Sequence, residues 1–170
     1  MQSLVEQLIA EPSEQTVMRL LDDESEQEVF WVDWREDDGE LAGYCETIIK
    51  TGSLSSKWEQ DQLILSYKGK TTKVPLTYSG ADRHITLIAI NEILAPDFQI
   101  RFVWDSDGSD TLAFAILPSS RWAALEAQYG QETVAKAFLA LTPELNTFDD
   151  PLRGHRPGQA AAKSWWQFWK

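Results

Sequence analysis

Two histidines, His84 and His155, and one cysteine, Cys45, are the only residues of their kinds among the 170. Catalysis of the serine–histidine or cysteine–histidine type needs a base held rigidly against a nucleophile. His84 opens a strongly apolar predicted helix, where it reads as a polar cap on a buried element. His155 lies among prolines and glycines, a poor platform for a base. Cys45 falls inside a predicted strand with no cation nearby to lower its thiol pKa, and reads as a small buried apolar residue. Asp33 and Glu46, on neighbouring predicted strands, could meet across a hairpin as a general acid and base, and would then make the chain a hydrolase. Paired carboxylates on adjacent strands more commonly face water. The run Asp105-Ser106-Asp107-Gly108-Ser109-Asp110 has the composition of a calcium loop. Its glycine stands fourth instead of sixth, however, and Ile116 occupies the place of the bidentate glutamate. A polar turn between two strands explains it better. No H-x-x-x-H or C-x-x-C spacing and no glycine-rich phosphate loop before a helix occurs. The sequence therefore assigns no catalytic residue, no metal ligand and no cofactor.

Binding chemistry is better supplied. Between residues 22 and 46 stand Asp22, Asp23, Glu24, Glu26, Glu28, Asp33, Glu36, Asp37, Asp38, Glu40 and Glu46 against the lone cation Arg35. Such a run can be a solvated helix end and hairpin tip. It can also be a docking surface for a basic partner, because complementary charge speeds encounter and fixes orientation. The predicted partner-binding acids are Asp22, Asp23, Glu24, Glu26, Glu28, Glu36, Asp37, Asp38 and Glu40. A second candidate surface is the aromatic tail, Trp165, Trp166, Phe168 and Trp169. Tryptophan is enriched at binding hot spots, and the same cluster could fold back to fill a groove on its own domain. Lys163 and Lys170 are too few charges for lasting membrane attachment.

Hydrophobic periodicity supplies the elements that would carry these residues. Ser3 and Glu6 form a capping box before Leu4, Val5, Leu8 and Ile9, and Pro12 separates that helix from a second one carrying Val17, Leu20 and Leu21. From Val29 the period becomes two, with both strand faces mostly apolar, so a strand covered on both sides is expected. Asp37-Asp38-Gly39 predicts a hairpin into a second strand, Leu41 to Ile49. A third strand, Gln62 to Tyr67, turns at Lys68-Gly69-Lys70 into a fourth, Thr71 to Tyr78, which Pro75 places at an edge. A buried helix follows from Asp82 to before Pro96. Strands around Phe98–Trp104 and Leu112–Ile116 come next. Two helices then carry Trp122, Leu125 and Tyr129, and Val134, Phe138 and Leu141, on either side of Gly130. The expected fold is α+β, an antiparallel sheet with helices packed on at least one face. The expected division is one globular domain over 1–145, followed by a linker and aromatic tail over 146–170.

The charge of −12 repels nucleic-acid phosphates and anionic lipid, so direct DNA or RNA binding is not expected. No positively charged, apolar leader opens the sequence, which makes a cytoplasmic location the expectation. Asp82-Arg83 opening an apolar helix that ends Asn91-Glu92-Ile93-Leu94-Ala95-Pro96, the strand with Ile100-Arg101, the hairpin into Asp110-Thr111-Leu112-Ala113-Phe114, and Trp122 with Tyr129-Gly130 form a recognisable succession. It is similar to small acidic immunity proteins encoded beside secreted toxins in bacterial polymorphic-toxin and type VI secretion systems. The resemblance implies a cytoplasmic protein that binds one cognate toxin, often over its active site, and performs no chemistry itself. It gives no single residue a role. Beside that reading stand an adaptor docking through the tryptophan-rich tail and a hydrolase with an unrecognised carboxylate site.

Overall fold

The structure, a computed structural model, describes residues 2–22, 28–149, 152 and 156–158. Helix α1 (Leu4–Ala10) begins where the Glu6 N–H donates to the Ser3 hydroxyl at 3.3 Å. Ser13 takes the N–H of Thr16 in the same way for α2 (Glu14–Asp22). The two short helices pack as a pair, because neither alone can bury its apolar stripe.

Strand β1 (Val29–Asp33) is followed by a 3-10 turn over Asp38–Glu40 and helix α3 (Leu41–Ile49). Next comes a small antiparallel sheet of β2 (Ser55–Glu59), β3 (Gln62–Tyr67) and β4 (Lys70–Lys73), in the order β2-β3-β4. After α4 (Asp82–Leu94), strands β5 (Phe98–Val103) and β6 (Thr111–Pro118) form a hairpin. Helices α5 (Ser119–Tyr129) and α6 (Gln131–Ala137) lead into β7 (Phe138–Ala140). The larger sheet is antiparallel with order β1-β6-β5-β7.

Strand alternation divides the core in two. Phe30, Val32, Ile100, Phe102, Phe114 and Ile116 face α3, α4 and the small sheet, and the rings of Phe30 and Phe114 stack at 5.7 Å. Val103, Ala113, Ala115 and Leu117 face the four terminal helices, joining Leu4, Leu8, Trp122 and Phe138. Arg101 is buried on this second face, over the Trp122 ring at 4.4 Å and paired with Glu126 at 2.7 Å. The fold is thus α+β with helices on both faces of the larger sheet.

Several local expectations need correction. Leu41–Ile49 is a helix, not the second strand of a hairpin. Leu41, Ala42 and Cys45 recur at helical spacing and all are buried, while Gly43 and Thr47 face out. Asp37-Asp38-Gly39 is the entry to that helix, because the Asp37 carboxylate accepts the Gly39 N–H at 2.7 Å. Strand β1 pairs with β6, from Val29 opposite Ala115 to Asp33 opposite Thr111, and is an edge. Its cover is unequal: Phe30 and Val32 are buried on one face, while on the other Val29 packs in part against the second core and Trp31 is 37% exposed. The fourth strand stops at Lys73. The Val74 N–H still reaches the Leu63 carbonyl at 2.9 Å, but Pro75 has no N–H to continue the ladder. Strand β2 lacks an apolar alternation, and β7 is drawn out of the last predicted helix by pairing with β5.

Packing continues past residue 145: Leu145, Phe148 and Leu152 all lie against the first core cluster, and Arg156 pairs with both oxygens of Asp105. Among the described residues no helix is long and apolar enough to cross a membrane.

Candidate functional site

Of the groups that could do chemistry, most are spoken for. His84 is buried in the first turn of α4, where its Nδ1 accepts the Thr147 N–H at 3.3 Å. Nε2 therefore carries the proton and donates to the Thr142 carbonyl at 2.8 Å. Burial holds this imidazole below its ordinary pKa, against the opposing effects of the Thr142 hydrogen bond and Asp149. It ties the chain after β7 onto α4. Cys45 is fully buried, and desolvation pushes its thiol far up. Glu46 is on a helix, not a strand, so it is not placed across a hairpin from Asp33. Its carboxylate instead accepts from the Thr51 hydroxyl, the Gly52 N–H and the Leu54 N–H, fixing the loop after α3. Asp33 pairs with Arg35 at 3.2 Å, and that hydrogen bond holds its carboxyl below the usual range. In the 105–110 loop, Asp105 is bound to Arg156, and the buried Ser106 hydroxyl bridges the Val103 carbonyl and the Ala113 N–H. Among the described residues no group of three metal-ligating side chains gathers.

The acidic segment is split by the fold. Asp23, Glu24 and Glu26 lie outside the described residues, as do His155 and the tail aromatics Trp165, Trp166, Phe168 and Trp169. Asp38 is no surface carboxylate. Its side chain is 7% exposed and is held by Arg83, whose Nε and Nη2 donate to its two oxygens at 2.7 and 2.6 Å. The same guanidinium donates to the Trp34 carbonyl at 3.0 Å, so one cation fastens the end of β1 and the 3-10 turn to α4. Asp22, Asp37 and Glu40 are exposed, whereas Glu28 and Glu36 are half-buried. Glu36 accepts from the Tyr44 hydroxyl; burial first, and then this carboxylate, push the phenol up to about 12.

The exposed tryptophans Trp31, Trp34 and Trp58 stand on or just after two edge strands, β1 and β2, which flank α3 on either side. Two depressions result, and Thr47 of α3 lines both. One, of about 210 Å³, lies between β1 and α3 against Trp31, Tyr44 and Ile48. The other, about 560 Å³, lies between α3 and β2, with Trp58, Asp37, Glu40 and Gly43 on its walls. Its geometry is set by close fit. The Trp58 indole N–H donates to Asp37 at 3.2 Å, and a Cβ on Gly39 would stand only 2.7 Å from that nitrogen. Trp34 lines a separate depression of about 200 Å³ with the 107–110 loop and residues 147–149, and Arg35 lies over its ring at 5.3 Å. The depression between α3 and β2 thus sets an amphipathic indole beside two exposed carboxylates in an open hollow, not an enclosed small-molecule pocket.

Sequence reasoning singled out Asp37 and Glu40 but not Trp31, Trp34 or Trp58. The signal was available in part: Trp31 alternates with Phe30 and Val32, so one member of that apolar set must face away from the others. Matching against protein-family models, curated proteins and solved structures finds no match for this chain.

Proposed function

We propose that this chain is a binding protein that docks a basic protein partner on the face formed by β1, α3 and β2. The observation that carries the reading is the exposed Trp58 set beside Asp37 and Glu40 on the wall of the depression between α3 and β2, with Trp31, also more than a third exposed, lining the depression on the other side of α3. Large rings left in water beside a helix cost solubility unless something covers them, and aromatic anchors with an acidic rim are how a non-obligate interface is built. The net charge of −12 would steer such a partner in. The resemblance to immunity proteins makes the partner a cognate toxin, neutralised by contact alone. Cytoplasmic residence belongs to the same proposal.

The test is capture of partners from the native cell with the full chain, and then with Trp31→Ala/Trp58→Ala. A protein retained by the first and lost by the second, at unchanged melting temperature, supports the reading. Growth arrest by that captured protein, relieved on co-expression, supports the toxin assignment. Equal capture by both forms would overturn the docking face.

A further inference from the structure

The two sheets have four edges, and three of them are guarded. Strand β7 is only three residues long; β2 carries Lys57 and Glu59, which pair with each other; β4 has lysine at both ends, with Pro75 just beyond. Short length, edge lysines and proline are the devices by which sheets avoid pairing with foreign strands. Strand β1 has none of them. It reads Val-Phe-Trp-Val-Asp over five residues.

Its hydrogen-bonding direction follows from the ladder. The Ile116 N–H donates to Glu28 and the Trp34 N–H to Asp110, so the even-numbered residues turn their backbone groups toward β6. Val29 and Trp31 turn theirs outward. Among the described residues nothing bonds them. The outward edge opens on the groove between β1 and α3, where Tyr44 and Ile48 form the far wall. A strand laid there would place alternate side chains on those two residues, while Trp31 flanks its other face.

We infer that β1 is an acceptor edge: an extended, basic segment of the partner adds to the larger sheet beside Val29 and Trp31. This rests on the proposed docking of a basic protein and specifies how it occurs. Charge selects the occupant. Glu36 accepts from the hydroxyl of Tyr44 on the groove's far wall, and the chain's −12 disfavours a second copy of itself. Strand addition draws affinity from main-chain hydrogen bonds and specificity from the pockets beside them.

The probe is an octapeptide of alternating lysine and valine, titrated into the isotope-labelled full chain and followed by NMR and amide exchange. The control has the same sequence and charge but is N-methylated throughout, so that it cannot donate to an edge. The expected result is shifted, exchange-protected amides at Val29 and Trp31, with affinity falling about tenfold or more for the methylated peptide. Trp31→Lys, at a partly exposed position, should abolish binding while leaving the circular dichroism unchanged. Equal binding of both peptides overturns the inference. So do shifts confined to the Trp58 groove, although basic docking then stands. No shift anywhere up to millimolar peptide removes both. Two results in the free protein would also overturn it. Protection of these amides that rises with protein concentration means a second copy occupies the edge. Protection lost on Trp166→Asp/Phe168→Asp means the chain's own tail does.

Discussion

Replacing Arg83 by methionine keeps the length and apolar volume of the side chain and removes only its charge and donors. Asp38 would then remain at 7% side-chain exposure with the Thr86 hydroxyl, 3.3 Å away, as the remaining donor. Breaking a buried ion pair from one side costs about 3–5 kcal/mol, because the surviving charge can neither reach water nor find a counter-charge. At roughly 2–4 °C per kcal/mol for a domain of this size, the melting temperature should drop by about 10 °C. The Trp34 carbonyl loses a donor as well, so the loss should fall toward the upper end. The companion variant Asp38→Leu/Arg83→Met removes both charges. It should recover most of the stability, since replacing a whole buried pair by apolar groups is close to neutral. Urea denaturation of the wild type, both single variants and the double variant gives the coupling energy as a closed cycle. A loss below about 1 kcal/mol for Arg83→Met would refute the reasoning, since that is the value of a pair that water reaches. The cycle also bears on function, because this pair holds the backbone at Trp34 and the turn that carries Asp37.

Three further outcomes follow from individual contacts. Because burial lowers the pKa of His84 below its usual 6.5, the unfolded chain takes up that proton first as the pH falls. Its contribution to stability is complete above about pH 6.5 and is lost on acidification toward the folded pKa, so His84→Gln should flatten melting temperature against pH below about 6.5 relative to wild type. Gly39→Ala should displace Trp58, because the new methyl meets the indole nitrogen and, at 3.0 Å, the Asp37 carboxylate. Tryptophan is exposed there and can swing into water, so the stability loss should stay under about 1 kcal/mol, while near-ultraviolet dichroism and partner affinity both change. Cys45 should resist a disulfide reagent in the folded protein and react at once in denaturant; rapid labelling of the native chain would contradict its burial.

The sequence was most legible where local pattern and tertiary role agree. The N-cap at Ser3, the alternation in β5 and β6, and the apolar α4 each meet partners that reinforce their intrinsic preference, although the Glu6 carboxylate of the expected capping box accepts from Tyr129. The misreading at 41–49 has a physical source. Thr47-Ile48-Ile49 is β-branched and follows an Asp-Gly pair, both strand signals. What decides for helix is the spacing of Leu41, Ala42 and Cys45, which a period of two would have scattered over both faces. Strand β2 escaped notice because its Ser-Ser-Lys-Trp-Glu has no apolar face at all, and it exists by pairing with β3.

That one exchange of strand for helix creates the candidate site. Had Leu41–Ile49 paired with β1, the Val29 and Trp31 edge would have been consumed inside a meander. As a helix, the segment leaves β1 with a partner on one side only, and its own solvent face becomes the ridge between two depressions. The Arg83–Asp38 pair then holds the turn that leads into it, and Glu46 fixes the loop that leads out toward β2. Other buried polar groups, His84, Arg101 and Ser106 among them, lie elsewhere, but the Arg83–Asp38 pair and Glu46 secure the two ends of this one helix. Their common effect is to hold β1 and β2, whose outer edges are unpaired among the described residues, in a fixed relation to α3, which is what the proposed binding face requires.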